Sequence, residues 1–174
     1  MKVLVTTSGI GSRLGDITKY TNKCLARVGE KPAISHIIEN YPAGTEFVVT
    51  LGYYGNHVRD FLNIAYPKHK FVFVDVENYQ GPGSSLCYSI LQTKDSLQEP
   101  FIFHACDTIV LENIPAPHKN WCGGLAKGDS SQYRSINVTN NFIRKINDKG
   151  ELRYDFDYIG LCGIRDYELF WQKI

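Results

Sequence analysis

The sequence has no excess of charge of either sign: 19 basic and 18 acidic residues leave +1 over 174 residues. A chain that grips nucleic acid or an anionic membrane through a polybasic face shows its cations in the total, so both classes of partner are set aside. No apolar run comes near the roughly 18 residues needed to cross a bilayer. Only Val3-Leu4-Val5 stands between Met1-Lys2 and Thr6-Thr7-Ser8, too little for a signal peptide's apolar region. A cytoplasmic location is the expectation. Fifteen glycines and seven prolines are too few for a collagen-like or low-complexity chain. Cys24, Cys87, Cys106, Cys122 and Cys162 are odd in number, widely spaced and free of any C-x-x-C pair. Neither a zinc site nor a disulfide framework is indicated, and reduced, mostly buried thiols are expected. His36, His57, His69, His104 and His118 each stand alone, without metal-ligand spacing.

What is present is a rhythm of short apolar runs and helical spacings. Val3-Leu4-Val5, Phe47–Leu51, Phe71–Val74 and Phe101-Ile102-Phe103 are continuously apolar and rich in β-branched or aromatic residues, as buried strands are. Between them, Ile34, Ile37, Ile38 and Tyr41 share one face of a helix opened by Pro32 and stopped by Pro42-Ala43-Gly44. Val58, Phe61, Leu62 and Ala65 repeat that spacing in a second helix, with Asn56 as its cap and Pro67 beyond its end. Leu86, Ile90 and Leu91 mark a third. Alternating strand and helix with doubly buried strands predicts a parallel sheet covered on both faces. After Asp107 the pattern changes. Ser135–Val138 and Phe142–Ile146, separated by Thr139-Asn140-Asn141, read as a hairpin; Tyr158–Ile164 reads as a last strand, and Leu169, Phe170 and Trp171 as a short amphipathic helix. A Rossmann-like three-layer α/β/α fold with a mixed, mostly parallel sheet is predicted, as one domain over 1–174.

Ligands of open α/β sheets sit beyond the carboxyl ends of the strands, and three features collect there. The loop Gly9-Ile10-Gly11-Ser12-Arg13 follows the first strand. Its glycines would let backbone N–H groups cradle a phosphate, with Arg13 as an added cation; an ordinary turn is the alternative. It is not a P-loop, since G-x-x-x-x-G-K-[ST] is absent, and Leu14 stands where a dinucleotide fingerprint has its third glycine. Asp107, at the end of the fourth strand, is placed either to hold Mg²⁺ against phosphate oxygens or to cap Thr108-Ile109. The turn Gln80-Gly81-Pro82-Gly83-Ser84-Ser85 either receives a flat base or is a plain loop. The one D-x-D pair, Asp155-Phe156-Asp157, lies outside these three segments.

Together these segments resemble the nucleotidylyltransferases that activate sugar phosphates or phosphocholine. Val5-Thr6-Thr7-Ser8-Gly9-Ile10-Gly11-Ser12-Arg13-Leu14 is similar to the family's L-A-A-G-x-G-x-R-L, and Asn22-Lys23-Cys24-Leu25 to its P-K-x-L. Val28-Gly29-Glu30-Lys31-Pro32 fits V-x-x-K-P, Gly81-Pro82-Gly83 the base-binding turn, Phe101–Asp107 the strand with its metal-binding aspartate, and Asn147-Asp148-Lys149-Gly150 an E-K-P turn. Three departures stand out: Thr7 and Ser8 replace two alanines, Asn22 replaces a proline, and the chain ends before the family's second metal-binding aspartate. Asp155 and Asp157 are available acids without a motif.

The resemblance implies transfer of a nucleoside monophosphate from a nucleoside triphosphate, with CTP favoured, to a small phosphorylated acceptor such as a sugar-1-phosphate or phosphocholine. Pyrophosphate leaves, Mg²⁺ is the cofactor, and capsule or lipopolysaccharide precursor synthesis is the setting. Arg13 and Lys23 would be catalytic, and Asp107 would hold the metal. Ser8, Gly9, Gly11, Ser12, Gly81 and Gly83 would bind nucleotide, and Lys149 the acceptor's phosphate. Two other readings follow from the sequence: a nucleotide-binding module without turnover, and an NAD(P)-dependent oxidoreductase. The latter should end its second strand on an acid, where Leu51-Gly52-Tyr53-Tyr54 stands instead.

Overall fold

The computed structural model describes residues 1–126, 128 and 131–174. Ten strands and four helices follow one another as β1 (Lys2–Thr6), β2 (Arg27–Val28), β3 (Lys31–Pro32), α1 (Ala33–Glu39), β4 (Glu46–Leu51), α2 (Gly55–Ala65), β5 (Lys70–Asp75), α3 (Leu86–Leu91), β6 (Phe101–Ala105), β7 (Trp121–Leu125), β8 (Ser135–Thr139), β9 (Phe142–Asn147), β10 (Phe156–Ile164) and α4 (Tyr167–Lys173). Three 3-10 segments, Ser12–Thr18, Lys23–Leu25 and Lys94–Ser96, complete the regular structure of the described residues.

The main sheet runs β5-β4-β1-β6-β10-β8-β9, with β7 on β10. Its first four strands are parallel, Val3 aligning with Phe47 on one side and Ile102 on the other. Beyond β6 every pairing is antiparallel. The mixed, mostly parallel core and the three layers agree with the sequence.

Strand alternation explains the layers. Val3, Val5, Phe47 and Val49 face a core closed by Ile34, Ile37 and Ile38 of α1 and by Val58 and Leu62 of α2. Leu4, Val48, Phe101 and Phe103 point the other way, onto Ile90 of α3 and Trp171 of α4. Each such side chain, fully buried, stabilises the fold by about 1.5–3 kcal/mol relative to exposure.

Several local expectations are corrected. Tyr41 is buried as its spacing predicts, but it lies past the end of α1. Ala65 is exposed in the last turn of α2, off the buried face. Asn56 does not cap α2: the N-cap is Tyr54, held at φ 48. Ser85 caps α3 instead, its hydroxyl accepting from Tyr88 N–H. The hairpin turn is the pair Asn140-Asn141, both at positive φ, as a tight two-residue turn demands. All five cysteines are free; Cys24 and Cys106 are buried, Cys122 and Cys162 half-buried and Cys87 exposed. Among the described residues no helix is long and apolar enough to cross a membrane.

Candidate active site

The carboxyl ends of β1, β4 and β6 meet at one edge of the sheet, and three loops leave it there. The loop after β1 is tied down by buried hydroxyls. Thr7 N–H donates to Thr50 Oγ1 at 3.1 Å, Thr7 Oγ1 donates to the Thr50 carbonyl at 2.5 Å, and Ser8 Oγ donates to Ser89 Oγ of α3 at 2.9 Å. Thr7 and Ser8 therefore face the interior, where each unpaired hydroxyl would carry a desolvation cost. The Ser8 carbonyl accepts from Tyr53 N–H at 3.0 Å. The side chain and carbonyl of Ser8 are thus both directed into the protein.

Gly9 is half-buried, and Ser12 and Arg13 are exposed. Gly11 takes φ 66, and a Cβ there would lie 3.0 Å from Lys23 Cβ and 3.1 Å from Thr18 Cγ2. The glycine is required twice over, for the left-handed backbone and for the contact with the Lys23 stem. Gly52, just after β4, makes a second close approach: a Cβ there would meet the Ser8 carbonyl at 2.6 Å and Tyr79 Cβ at 2.8 Å.

Lys23 opens the short 3-10 turn after that loop. Its Nζ donates to Asp107 Oδ2 at 2.8 Å. Burial works against the Lys23 charge, but interactions with Cys106 and with the Asp107 carboxylate outweigh it, and the pKa is raised. Burial likewise opposes the Asp107 charge, and Lys23, the local backbone and Arg13 overcome it, holding the carboxyl below its usual range. Arg13 acts on both members of the pair. The cap reading of Asp107 does not hold: Thr108 N–H goes to the Ala105 carbonyl at 3.1 Å and the carboxylate goes to Lys23.

The turn carrying Asp107 is braced from below by a residue the sequence did not single out. His104 is buried in β6, its Nδ1 2.8 Å from Tyr41 Oη and its Nε2 2.9 Å from the Thr108 carbonyl. Nε2 donates to the carbonyl, and Nδ1 of the neutral ring would accept from the tyrosine hydroxyl. Burial lowers its pKa, consistent with that state. The Thr108 hydroxyl donates to the Ile159 carbonyl and fastens the turn to β10.

Gly11, Arg13, Lys23 and Asp107 are thus brought together. Gly81 and Gly83 lie in the exposed turn that leads to α3, which is joined to the β1 loop through Ser89 and Ser8. Lys149 is not joined to this group. It stands on the turn after β9, three strands from β6, in a cleft of about 650 Å³ lined also by Lys145, Glu151 and Arg153. Asp155 accepts from Val138 N–H at 2.7 Å, and Asp157 is buried, accepting from Gly128 N–H at 2.6 Å.

Asp107 suits a hard divalent cation, being an oxygen donor on an exposed turn. Among the described residues no three His, Cys, Asp or Glu side chains converge. An ion here would take one protein carboxylate and complete its shell from phosphate and water, as Mg²⁺ commonly does.

No family model matches the chain. A probable glucose-1-phosphate cytidylyltransferase of Bacillus subtilis (strain 168) is 31% identical over 77 residues, which are 43% of this chain and 30% of that relative. The chain thus matches about a third of that curated relative's length. A UDP-glucose pyrophosphorylase complexed with UDP-glucose superposes with a TM-score of 0.81 at 18% identity, over 99% of this chain and 79% of that one. The CTP:phosphocholine cytidylyltransferase from Streptococcus pneumoniae gives 0.78 at 19%, over 98% and 74%. The inositol-1-phosphate CTP transferase from T. maritima gives 0.72 at 17%, over 97% and 72%. The chain has the nucleotide-diphospho-sugar transferase-like fold, and it resembles the sugar-phosphate and phosphocholine nucleotidylyltransferases, in sequence over 77 residues and in fold over nearly its whole length.

Proposed function

We propose that this chain transfers a nucleoside monophosphate, CMP in preference, from its triphosphate to a small phosphorylated acceptor and releases pyrophosphate. The observation that carries the reading is the Lys23–Asp107 pair, 2.8 Å apart, closed against the glycine loop with Arg13 beside it. That is a compact set of cations, backbone and one carboxylate at the carboxyl end of a parallel sheet, where a triphosphate is bound and neutralised. The relative and one structural neighbour are named cytidylyltransferases and a second neighbour a CTP transferase, which supports CTP. A sugar-1-phosphate or phosphocholine is the favoured acceptor class, for surface-polysaccharide precursors.

The chemistry asks little covalent work of the protein. An oxygen of the acceptor's phosphate attacks the α-phosphorus, the bond from that phosphorus to the β-bridging oxygen breaks, and pyrophosphate carries the electron pair away. Lys23 moves from Asp107 to the α-phosphate and the incoming acceptor, where negative charge gathers. Arg13 holds the β- and γ-phosphates and the departing pyrophosphate. Gly9, Gly11 and Ser12 present backbone to the phosphates, with Ser8 anchoring the loop, and Gly81 and Gly83 receive the base. Mg²⁺ held by Asp107 would neutralise charge on the α-phosphate. Lys149 meets the acceptor's phosphate.

The test is pyrophosphate release from CTP, UTP, ATP, GTP and dTTP, each with α-glucose-1-phosphate or phosphocholine and Mg²⁺. Release with CTP and one acceptor is the expected result. Nucleotide binding without release under every pairing would leave a binding module in place of an enzyme.

A further inference from the structure

We infer that Asn22 is a positioning residue for Lys23: one buried side chain ties three backbone segments together and fixes the lysine against the glycine loop. This rests on the reading of Lys23 as the group that meets the α-phosphate.

Asn22 has no exposed surface. Its Nδ2 donates to the Thr7 carbonyl at 2.7 Å and to the Tyr53 carbonyl at 2.6 Å, and its Oδ1 accepts from Cys24 N–H at 3.0 Å. The first carbonyl lies where the chain leaves β1. The second lies in the turn after β4. The third partner belongs to the 3-10 turn that carries Lys23. Both amide hydrogens and the amide oxygen are in use.

Capping that turn needs only an oxygen, which Asp, Ser or Thr would supply as well. The two donated bonds are surplus to a cap. Asp and Ser cannot make them: ionised Asp has no hydrogen to give, and Ser has one hydrogen on a shorter side chain. Only the amide joins a cap to two outside carbonyls. The residue also sits where the resembling motif has proline. Its φ of −74 is close to the value of about −65 that a proline ring imposes. Here tertiary hydrogen bonds hold the backbone that a ring holds there.

The consequence falls on the next residue. Lys23 is flanked by Asn22 and by Cys24, both fully buried, while its stem lies against Gly11 and its ammonium on Asp107. Releasing Asn22 frees the turn at its start. Lys23 then loses its height over the loop, while Arg13 and the glycine backbone are left in place. The effect is on turnover more than on nucleotide affinity, because a displacement of about 1 Å at a reacting group costs on the order of 10²-fold in rate.

The test is a double-mutant cycle on the full chain. Asn22→Ser keeps an oxygen for Cys24 N–H and removes the bridge; Asn22→Ala removes both and serves if the serine variant does not fold. With CTP and α-glucose-1-phosphate or phosphocholine, Asn22→Ser should lower kcat about 10- to 100-fold, with the dissociation constant for CTP within about threefold of wild type. In a Lys23→Ala background the same change should cost less than about threefold, since contacting residues that act through one group are not additive. An equal loss in both backgrounds would mean that Asn22 does not act through Lys23, and would overturn the inference. The second readout needs no turnover: the ¹⁵N NMR signal of the Lys23 ammonium, assigned by its loss in Lys23→Ala. It should move toward that of a free lysine in either Asn22 variant, and an unchanged signal would also overturn the inference. If wild type releases no pyrophosphate with any nucleotide, the functional reading fails, and the ammonium signal still decides whether Asn22 places Lys23.

Discussion

The parallel half of the sheet and its antiparallel extension are built differently. In β1, β4 and β6 nearly every residue is buried, and Thr50 and His104, two of the buried polar residues there, have named partners. In β9 five of six residues are exposed, Phe142, Ile143 and Ile146 included. Among the described residues, Asn147 Oδ1 of β9 and Asp157 Oδ1 of β10 are buried without a partner. The proposed chemistry sits at the carboxyl end of the first half. A site that must hold a lysine, an arginine and a carboxylate against a triphosphate needs a support that does not yield, and doubly covered parallel strands provide one. The second half carries Lys149, the only proposed binding residue outside the parallel half and the turns that flank it.

That contrast can be broken most strongly through packing. Phe47→Ala should destabilise the fold by about 3–5 kcal/mol, which at about 2–4 °C per kcal/mol lowers Tm by roughly 6–20 °C. Ile146→Ala, on the exposed face of β9, should stay within about 0.5 kcal/mol. Matching losses in thermal melts would mean that the two halves share one rigidity.

Activity should divide the same way. Lys23→Ala should cut pyrophosphate release by a factor on the order of 10²–10³. Lys149→Ala should raise KM for the acceptor and leave kcat near wild type. A kcat loss at Lys149 equal to that at Lys23 would move the reacting centre toward β9.

The smallest effect sharpens the account of the Asp107 turn. His104 is buried, and desolvation lowers its pKa from the ordinary 6.5. As pH falls below about 6.5 the unfolded chain gains a proton that the folded chain does not, so stability falls with pH. The limb is at most one proton, about 1.4 kcal/mol per pH unit. Melting from pH 7 to pH 5 should show it in wild type, and His104→Gln should flatten it. An unchanged slope would place the titration elsewhere.

The same contrast decides how much could be read from sequence. Buried parallel strands announce themselves, since Phe47–Leu51 and Phe101–Phe103 have one state open to them. The glycine loop and Asp107 were legible because they lie at the ends of such strands. β7 escaped because Trp121-Cys122-Gly123-Gly124-Leu125 shows neither alternation nor β-branching, and it is a strand only because β10 pairs with it. Asn22, Gly52 and His104 escaped for another reason. Their partners, Thr7 and Tyr53, Ser8 and Tyr79, Tyr41 and Thr108, come together only once the sheet is formed. In sequence Thr7 and Ser8 stand only as replacements for two alanines; in the fold their hydroxyls fasten that loop inward. Lys149 was placed by motif alone, and the fold leaves it on a different strand end.

On the proposed reading, Lys23, Arg13 and Asp107 form one triphosphate site. The direct measurement is the melting temperature of wild type and of Asp107→Asn with saturating CTP, with and without Mg²⁺. A ligand at about 100 times its dissociation constant adds roughly 2.7 kcal/mol, well within reach of a melt. CTP should stabilise wild type, Mg²⁺ should increase that stabilisation, and Asp107→Asn should abolish the increase. A Mg²⁺ increment that survives in Asp107→Asn, or no response of wild type to CTP or any other nucleoside triphosphate, would contradict that reading.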